Sequence, residues 1–409
     1  MRMDAVIAGV GMTRFGKHLE TGLKALGAEA VQAALADAGI EAKDLQAAYV
    51  GNAAAGLVTG QECIRGQVIL RGMGIGRLPV INVENACASA STALHQACAM
   101  VSASYYDVVL ALGVEKLYHE DKRRSFAAFS GAVDVEVVGA LLAALRKSAA
   151  AAGGSGDAGA GEKRSMFMDI YAAAARAHME RFGTTVEQFA GIAAKNSYHG
   201  SLNPRAQFRD VLSVADVLAA PMIAAPLTRP MCSPIGDGAA AVIVMSDRKA
   251  RACGAQKPVR VVASVLHSGW DHGTDESGLA ELCAAEAYEE AGIGPQDLDV
   301  IECHDASAPA ELMLYESLGL CPRGDGGKLV DTGATKLGGK IPVNTSGGLL
   351  RKGHPVGATG IAQIVELTEQ IQGRVGARQV PEARVALAEN GGGAIGTDAA
   401  ALCVTVLKR

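Results

Sequence analysis

The chain has 409 residues, enough for two to three domains at about 150 residues each and for a large buried core. With 49% hydrophobic and 20% charged residues, only 4% aromatics and 50 glycines, it suits layered α/β packing with small side chains. A formal charge of -5 with a pI near 6.0 supplies no general basic field for nucleic acid or an anionic membrane surface.

The N-terminus, Met1-Arg2-Met3-Asp4 followed by Ala5 to Gly11, lacks the long apolar region and small-residue cleavage site of a secretory leader. No uninterrupted run of about 18 apolar residues offers a transmembrane helix, so a soluble protein is expected. Segments with the character of buried strands, Asp4 to Gly9, Ala47 to Val50, Val108 to Leu112 and Val242 to Met245, alternate with Ala-rich helical stretches. Ala38-Gly39-Ile40 with Asp44-Leu45 recurs as Ala291-Gly292-Ile293 with Asp297-Leu298, at one constant offset, and each copy reads as helix, glycine cap and following strand. Leu110-Ala111-Leu112-Gly113 likewise resembles the strand entering Glu389, and Gly236 to Ala241 resembles Gly396 to Ala401. A duplication is therefore expected, with one half at 1–247, the other at 258–409, and Arg248 to Lys257 joining them. An excursion from about Tyr118 to Pro230 breaks the strand-helix rhythm of the first half and reads as a lid or loop domain. Within it, Ser148 to Gly161 is nearly all Ala, Gly and Ser and reads as a mobile surface loop.

Nine cysteines, an odd number without paired ligand spacing, argue against a disulfide framework or a metal site and for a reducing cytoplasm. One of them has a distinctive place. Leu78 to Val83 reads as a strand and Ala88 to Ser104 as a helix, so Asn85-Ala86-Cys87 falls at the elbow between them. A thiol there meets the positive end of the helix dipole and free amide donors, which lower its pKa and favour the thiolate. The plain alternative is a small buried cysteine among Ala and Ser. Farther along, glycines bracket His354 in the block Val343 to Gly360, which presents an imidazole from a loop entering a helix, suited to take a thiol proton. Glu302-Cys303-His304-Asp305-Ala306-Ser307 follows the strand Asp299 to Ile301, and Glu389-Asn390-Gly391-Gly392-Gly393 follows the strand Arg384 to Leu387. Both clusters stand at strand C-terminal ends, where open α/β sheets collect their sites; a glycine turn beside a solvated carboxylate is the plain alternative for the second.

With these motifs in place the chain resembles the thiolase superfamily over nearly its whole length, most specifically at Cys87, the Asn344 to Gly360 block and the Gly391 to Gly393 turn. The resemblance implies a duplicated thiolase fold, a five-layer αβαβα sandwich with an inserted loop domain. It implies that Cys87 is the acylated nucleophile, that His354 is its base, and that the backbone amides of Cys87 and Gly391 form the oxyanion hole. Coenzyme A is then a cosubstrate, with no covalently bound cofactor and no metal. His304-Asp305-Ala306-Ser307 stands where better-known thiolases carry Asn-Glu-Ala-Phe, and resembles the His-Asp variant of sterol-carrier-protein-type members, so His304 joins the catalytic set. Glu389 stands where a second cysteine is usual, and a buried carboxyl with a raised pKa can make the same proton transfer.

The resemblance further implies a homodimer or a dimer of dimers, and a small partner subunit carrying a zinc ribbon and an OB-fold. Small residues at Ala306, Ser307 and Ala308 leave room for a branched or aromatic acyl group such as benzoylsuccinyl. The expected reaction is CoA-dependent cleavage of a 3-oxoacyl-CoA, or the reverse Claisen condensation. Two alternatives stand beside it: a retro-aldolase acting on a 3-hydroxyacyl-CoA, and a non-catalytic subunit that binds acyl-CoA or lipid.

Overall fold

All eight residues of β1 (Ala5–Met12) are buried, as a strand in the middle of an α/β stack requires. The computed structural model describes residues 3–151, 164–273 and 276–409, and in it β1 sits at the centre of a nine-stranded mixed sheet. The other strands are β2 (Ala47–Gly51), β3 (Val80–Val83), β4 (Val108–Glu115), β5 (Met222–Ala224), β6 (Leu227–Thr228), β7 (Gly238–Met245), β8 (Val259–Ser268), β9 (Val300–Glu302), β10 (Val385–Gly392) and β11 (Ala401–Lys408). β5 and β6 form a separate two-stranded sheet; the rest run in the order β3-β2-β4-β7-β1-β8-β11-β10-β9.

That order is one pattern written twice, outward from the seam where β1 and β8 pair over Ala5 to Ile7. On one side β1 pairs β7 and β7 pairs β4 antiparallel, then β4 pairs β2 and β2 pairs β3 in parallel. On the other, β8 pairs β11 and β11 pairs β10 antiparallel, then β10 pairs β9 in parallel. Val343 makes a parallel bridge to Ile301, at the place that β3 holds in the first half. The Ala-Gly-Ile repeats occupy matching positions: Gly39 and Gly292 end the helices Leu23–Ala38 and Leu279–Ala291 in the left-handed region, and a short 3-10 turn leads each chain into β2 or β9.

Three apolar cores separate five layers. Helices Ser89–Ser102 and Thr359–Gln372 form the central layer, where Leu94, Ile361 and Ile364 pack with residues of β1, β4 and β7 and with Ala386 and Ala388 of β10. Helix Leu23–Ala38 covers the outer face of the first half-sheet. Helices Leu279–Ala291, Ala308–Ser317 and Val186–Ser201 cover that of the second. Because the two central helices begin just after Cys87 and His354, the packing of this layer brings their N-terminal ends to one place. Each large apolar side chain fully buried there contributes about 1.5–3 kcal/mol before the cost of ordering it.

Two local readings change. β10 continues to Gly392, so Glu389 lies within a strand rather than in a turn after it, because the ladder with β11 runs on to Ala401. The joining segment 248–257 keeps its place between the halves and opens as part of the helix Asp247–Ala252, capped by the Ser246 hydroxyl. Of the segment read as a surface loop, Ser148 to Ala151 belong to the helix Val138–Ala151, Ala-rich enough to stay helical, and 152–161 lie outside the described residues. Among the described residues no helix is long and apolar enough to cross a membrane.

Candidate active site

The elbow before the first central helix is a single 3-10 turn, Ala86–Ala88, entered through Ala86 at φ 47. Non-glycine residues adopt that conformation uncommonly, and here the Asn85 amide bonded to the Ser89 hydroxyl (2.9 Å) and the Ala86 amide bonded to Glu84 Oε1 (2.6 Å) hold it. The turn presents Cys87 to a cavity of about 620 Å³. His304 enters the same cavity from the segment after β9, and His354 from the loop before the second central helix.

The Cys87 Sγ and one ring nitrogen each of His304 and His354 all lie within 4.8 Å of one another. The two imidazoles meet edge to face with ring centres 5.1 Å apart. His354 Nδ1 is 2.8 Å from the Thr359 hydroxyl, which itself donates to the Pro355 carbonyl at 3.2 Å. A hydroxyl has one proton to give, so Thr359 accepts from Nδ1–H, and Nε2 of His354 is left as the unprotonated nitrogen. Burial, and secondarily the nearby His304 and Lys352, hold the pKa of His354 well below the usual histidine range. Burial lowers His304 to about 4, and its Nε2 has no protein partner. Both rings are therefore neutral at neutral pH. Three donors at this spacing can also share a metal ion, a grouping that the scattered cysteines could not reveal because two of its ligands are histidines from distant segments. A metal bound so would occupy the nucleophile.

The thiol departs from expectation. Burial pushes Cys87 up to about 12; the Gly393 backbone opposes this by hydrogen bonding, while the carboxylates of Glu115 and Glu84 add to it. Loss of hydration thus outweighs the helix-end field, and Cys87 rests as a thiol that needs a base to become nucleophilic.

Glu389 is buried behind His304, and its Oε2 accepts the His304 backbone N–H at 2.9 Å. Burial raises its pKa to about 7 against the opposing His304 hydrogen bond. Neither Glu389 nor Gly391 is on the cavity wall; Gly393 is. The amide near Cys87 is thus that of the third glycine in the run, whereas Gly391 lies against Glu389 and the His304 ring.

Sequence reasoning missed most of the cavity wall. Phe126, Phe129, Phe167 and Phe208, four of the chain's seven phenylalanines, line it together with Tyr118 and Tyr171. All come from 118–230, and Phe129 and Phe167 pack edge to face at 6.4 Å. Concentrating scarce aromatics here makes the wall flat-faced and apolar. The only signal available in the sequence was that the excursion is richer in aromatics than the rest of the chain.

Fold and site together define a duplicated α/β protein with a thiol and two imidazoles gathered at one cavity, and the family follows from comparison. The thiolase N-terminal domain family matches residues 5–216 and the thiolase C-terminal domain-like family matches 273–406; the chain belongs to the thiolase family. It is an acyl-CoA thiolase, an acyltransferase. It is 38% identical to the benzoylsuccinyl-CoA thiolase subunit BbsB of Thauera aromatica, over 95% of this chain and 94% of that one. It is 37% identical to an acetyl-CoA acetyltransferase of Methanothermobacter thermautotrophicus, over 97% and 98% of the two chains, and 37% identical to sterol carrier protein 2 of Rattus norvegicus, over 96% and 71%. Among solved structures, an Ltp2-ChsH2(DUF35) aldolase shares the fold, with a TM-score of 0.79 at 24% identity over 99% of this chain and 97% of that one.

Proposed function

We propose that the protein cleaves a bulky, aromatic 3-oxoacyl-CoA through a Cys87 acyl-enzyme, with coenzyme A as cosubstrate. The observation that carries this reading is the thiol of Cys87 beside a histidine whose Nε2 is left unprotonated. Nε2 of His354 takes the thiol proton, and Sγ attacks the 3-oxo carbon. The C2–C3 bond then breaks: its electron pair leaves on the shortened thioester as an enolate, which takes its proton from Glu389 by way of the His304 ring standing between that carboxyl and the cavity. The thiol of free coenzyme A gives up its proton, which returns to Glu389, and attacks the acyl-enzyme; the Cys87 thiolate leaves, taking back the proton held by His354, and the new acyl-CoA is released. Backbone amides of Cys87 and, from the glycine run, Gly393 beside it rather than Gly391 steady the oxyanion, and His304 offers its Nε2 to the thioester oxygen of the departing fragment. Run backwards, the same groups perform a Claisen condensation.

The aromatic wall supports the choice of acyl group, as does the substrate in the name of the BbsB relative. That relative is a subunit, and the aldolase of like fold is named with a DUF35 component, which together support a partner subunit; in this reading it is a small zinc-ribbon and OB-fold protein acting beside a homodimer or dimer of dimers. Nine unpaired cysteines support a reducing, cytoplasmic setting. The doubled strand order supports halves at 1–247 and 258–409.

The test offers the protein 3-oxoacyl-CoA esters of increasing bulk and one 3-hydroxyacyl-CoA, with mass analysis of the Cys87 peptide. Acylated Cys87 and CoA-dependent turnover, fastest with an aromatic ester, are expected. Cleavage of the 3-hydroxy ester alone, without an adduct, replaces the reading with retro-aldol chemistry.

A further inference from the structure

The loop that delivers His354 is held from beneath by a residue absent from the cavity wall. Asp305 is fully buried, and its two carboxylate oxygens accept the backbone N–H of Leu349 at 2.6 Å and of Leu350 at 3.4 Å, at the start of the short helix Gly348–Arg351. Asn196, from the helix Val186–Ser201, donates to the same carboxylate at 2.8 Å. Gly348, at φ +58, stands so close that a side-chain carbon would lie 2.2 Å from Oδ2, so the contact depends on glycine there. The chain leaves this helix and reaches His354 three residues later. Immediately before Asp305 is His304, whose backbone is held by Glu389 and whose ring meets His354.

We propose that Asp305 is a positioning residue that sets the His354 imidazole against the Cys87 thiol, acting through the helix Gly348–Arg351 without touching the reacting atoms. The proposal rests on the acyl-transfer reading for its role in turnover, but the geometry it asserts is a relation between side chains of this chain alone. Two consecutive residues thereby hold the pair of histidines: His304 supplies one ring and Asp305 places the other. The clamp also ties the excursion to the site, because Asn196 bonds Glu311 as well (2.6 Å), and Lys195 beside it pairs with Glu311 at 2.6 Å and donates to the Val343 carbonyl at 2.7 Å. The loop keeps a second anchor when Asp305 is changed, since Glu302 accepts from the Ser346 amide at 2.9 Å and from Lys352 Nζ at 3.1 Å. Loss of Asp305 therefore shifts the imidazole rather than unfolding the segment.

The test uses the full chain and Asp305→Asn, which keeps the shape and turns one acceptor into a donor facing N–H groups. The first readout is the rate at which iodoacetamide alkylates Cys87, which depends on His354 drawing off the thiol proton and on no acyl substrate. Misplacing the base by a fraction of an ångström to an ångström is expected to slow alkylation by about tenfold or more, with kcat falling alike and KM unchanged within about twofold. In a His354→Ala background the same change is expected to cost less than about twofold, because a residue acting through His354 has nothing left to place. Wild-type alkylation in Asp305→Asn overturns the proposal, and so does a full additional loss in the His354→Ala background. If Asp305→Asn yields no soluble protein, Gly348→Ala, which presses on the same contact from the loop side, is read in the same two backgrounds by the same criteria. Should no 3-oxoacyl-CoA be turned over, the alkylation cycle still decides the geometry, so the two readings fail separately.

Discussion

Gly392 of β10 lies directly against the carbonyl oxygen of Asn85, so close that a side-chain carbon would stand 2.2 Å from it and 2.5 Å from the Ala88 nitrogen. The strand from the second half thus forms the floor of the elbow that carries Cys87. Gly392→Ala is expected to push the elbow away from the strand, costing about 1–3 kcal/mol of stability and most of the turnover. Thermal unfolding and kcat measured together check it; a variant as stable and active as the parent contradicts the contact.

Thr359 sets the tautomer of His354, so Thr359→Val, which keeps the volume but removes the hydroxyl, should lower kcat by about tenfold to a hundredfold with little change in KM. Thr359→Ser should retain most of the rate. Equal losses in both variants would point to packing rather than to the hydrogen bond.

With burial holding the Cys87 thiol near about 12, alkylation of Cys87 should keep rising with pH through the whole stable range, without the plateau near neutrality of a helix-activated thiolate. A plateau below about pH 8 would show that the helix-end field wins after all.

The raised pKa of Glu389 has two consequences of definite sign. With Glu389 as the acid proposed for cleavage, the carboxyl must carry its proton, so kcat should decline as pH rises past about 7, and Glu389→Gln should lose that limb together with at least about a hundredfold of rate. The folded state holds the proton more tightly than the unfolded one, whose carboxyl titrates near 4.5. The associated stability is complete below that value and lost as pH climbs through about 7, amounting to about 3 kcal/mol. Urea titrations between pH 4 and 8 should show this slope in the parent and not in the Gln variant.

Much of the fold was legible because its signals are local. The apolar runs that become β1, β2, β4 and β7, the glycine ends of two helices, and the repetition of Ala-Gly-Ile each depend on a few neighbouring residues. Strand ends were read less well: β10 runs on to Gly392 because β11 pairs with it, and no feature of 385–392 alone announces a partner ladder. The cavity wall was illegible for a related reason, since Phe129 and Phe167 are 38 positions apart in sequence and meet only through the packing of two helices.

The residues themselves decided which chemistry is on offer: a cysteine at a strand-helix elbow, a histidine among glycines, a carboxylate at a sheet end, and two copies of one α/β unit to carry them. The tertiary structure decided the condition in which those groups wait. Proton affinities follow from how much water has been removed around each atom and from which dipoles replace it, and those neighbours come from segments hundreds of residues apart. Desolvation is thus a property of the assembled layers, which is why the resting thiol, the tautomer of His354 and the raised pKa of Glu389 emerge only once the two halves are packed together.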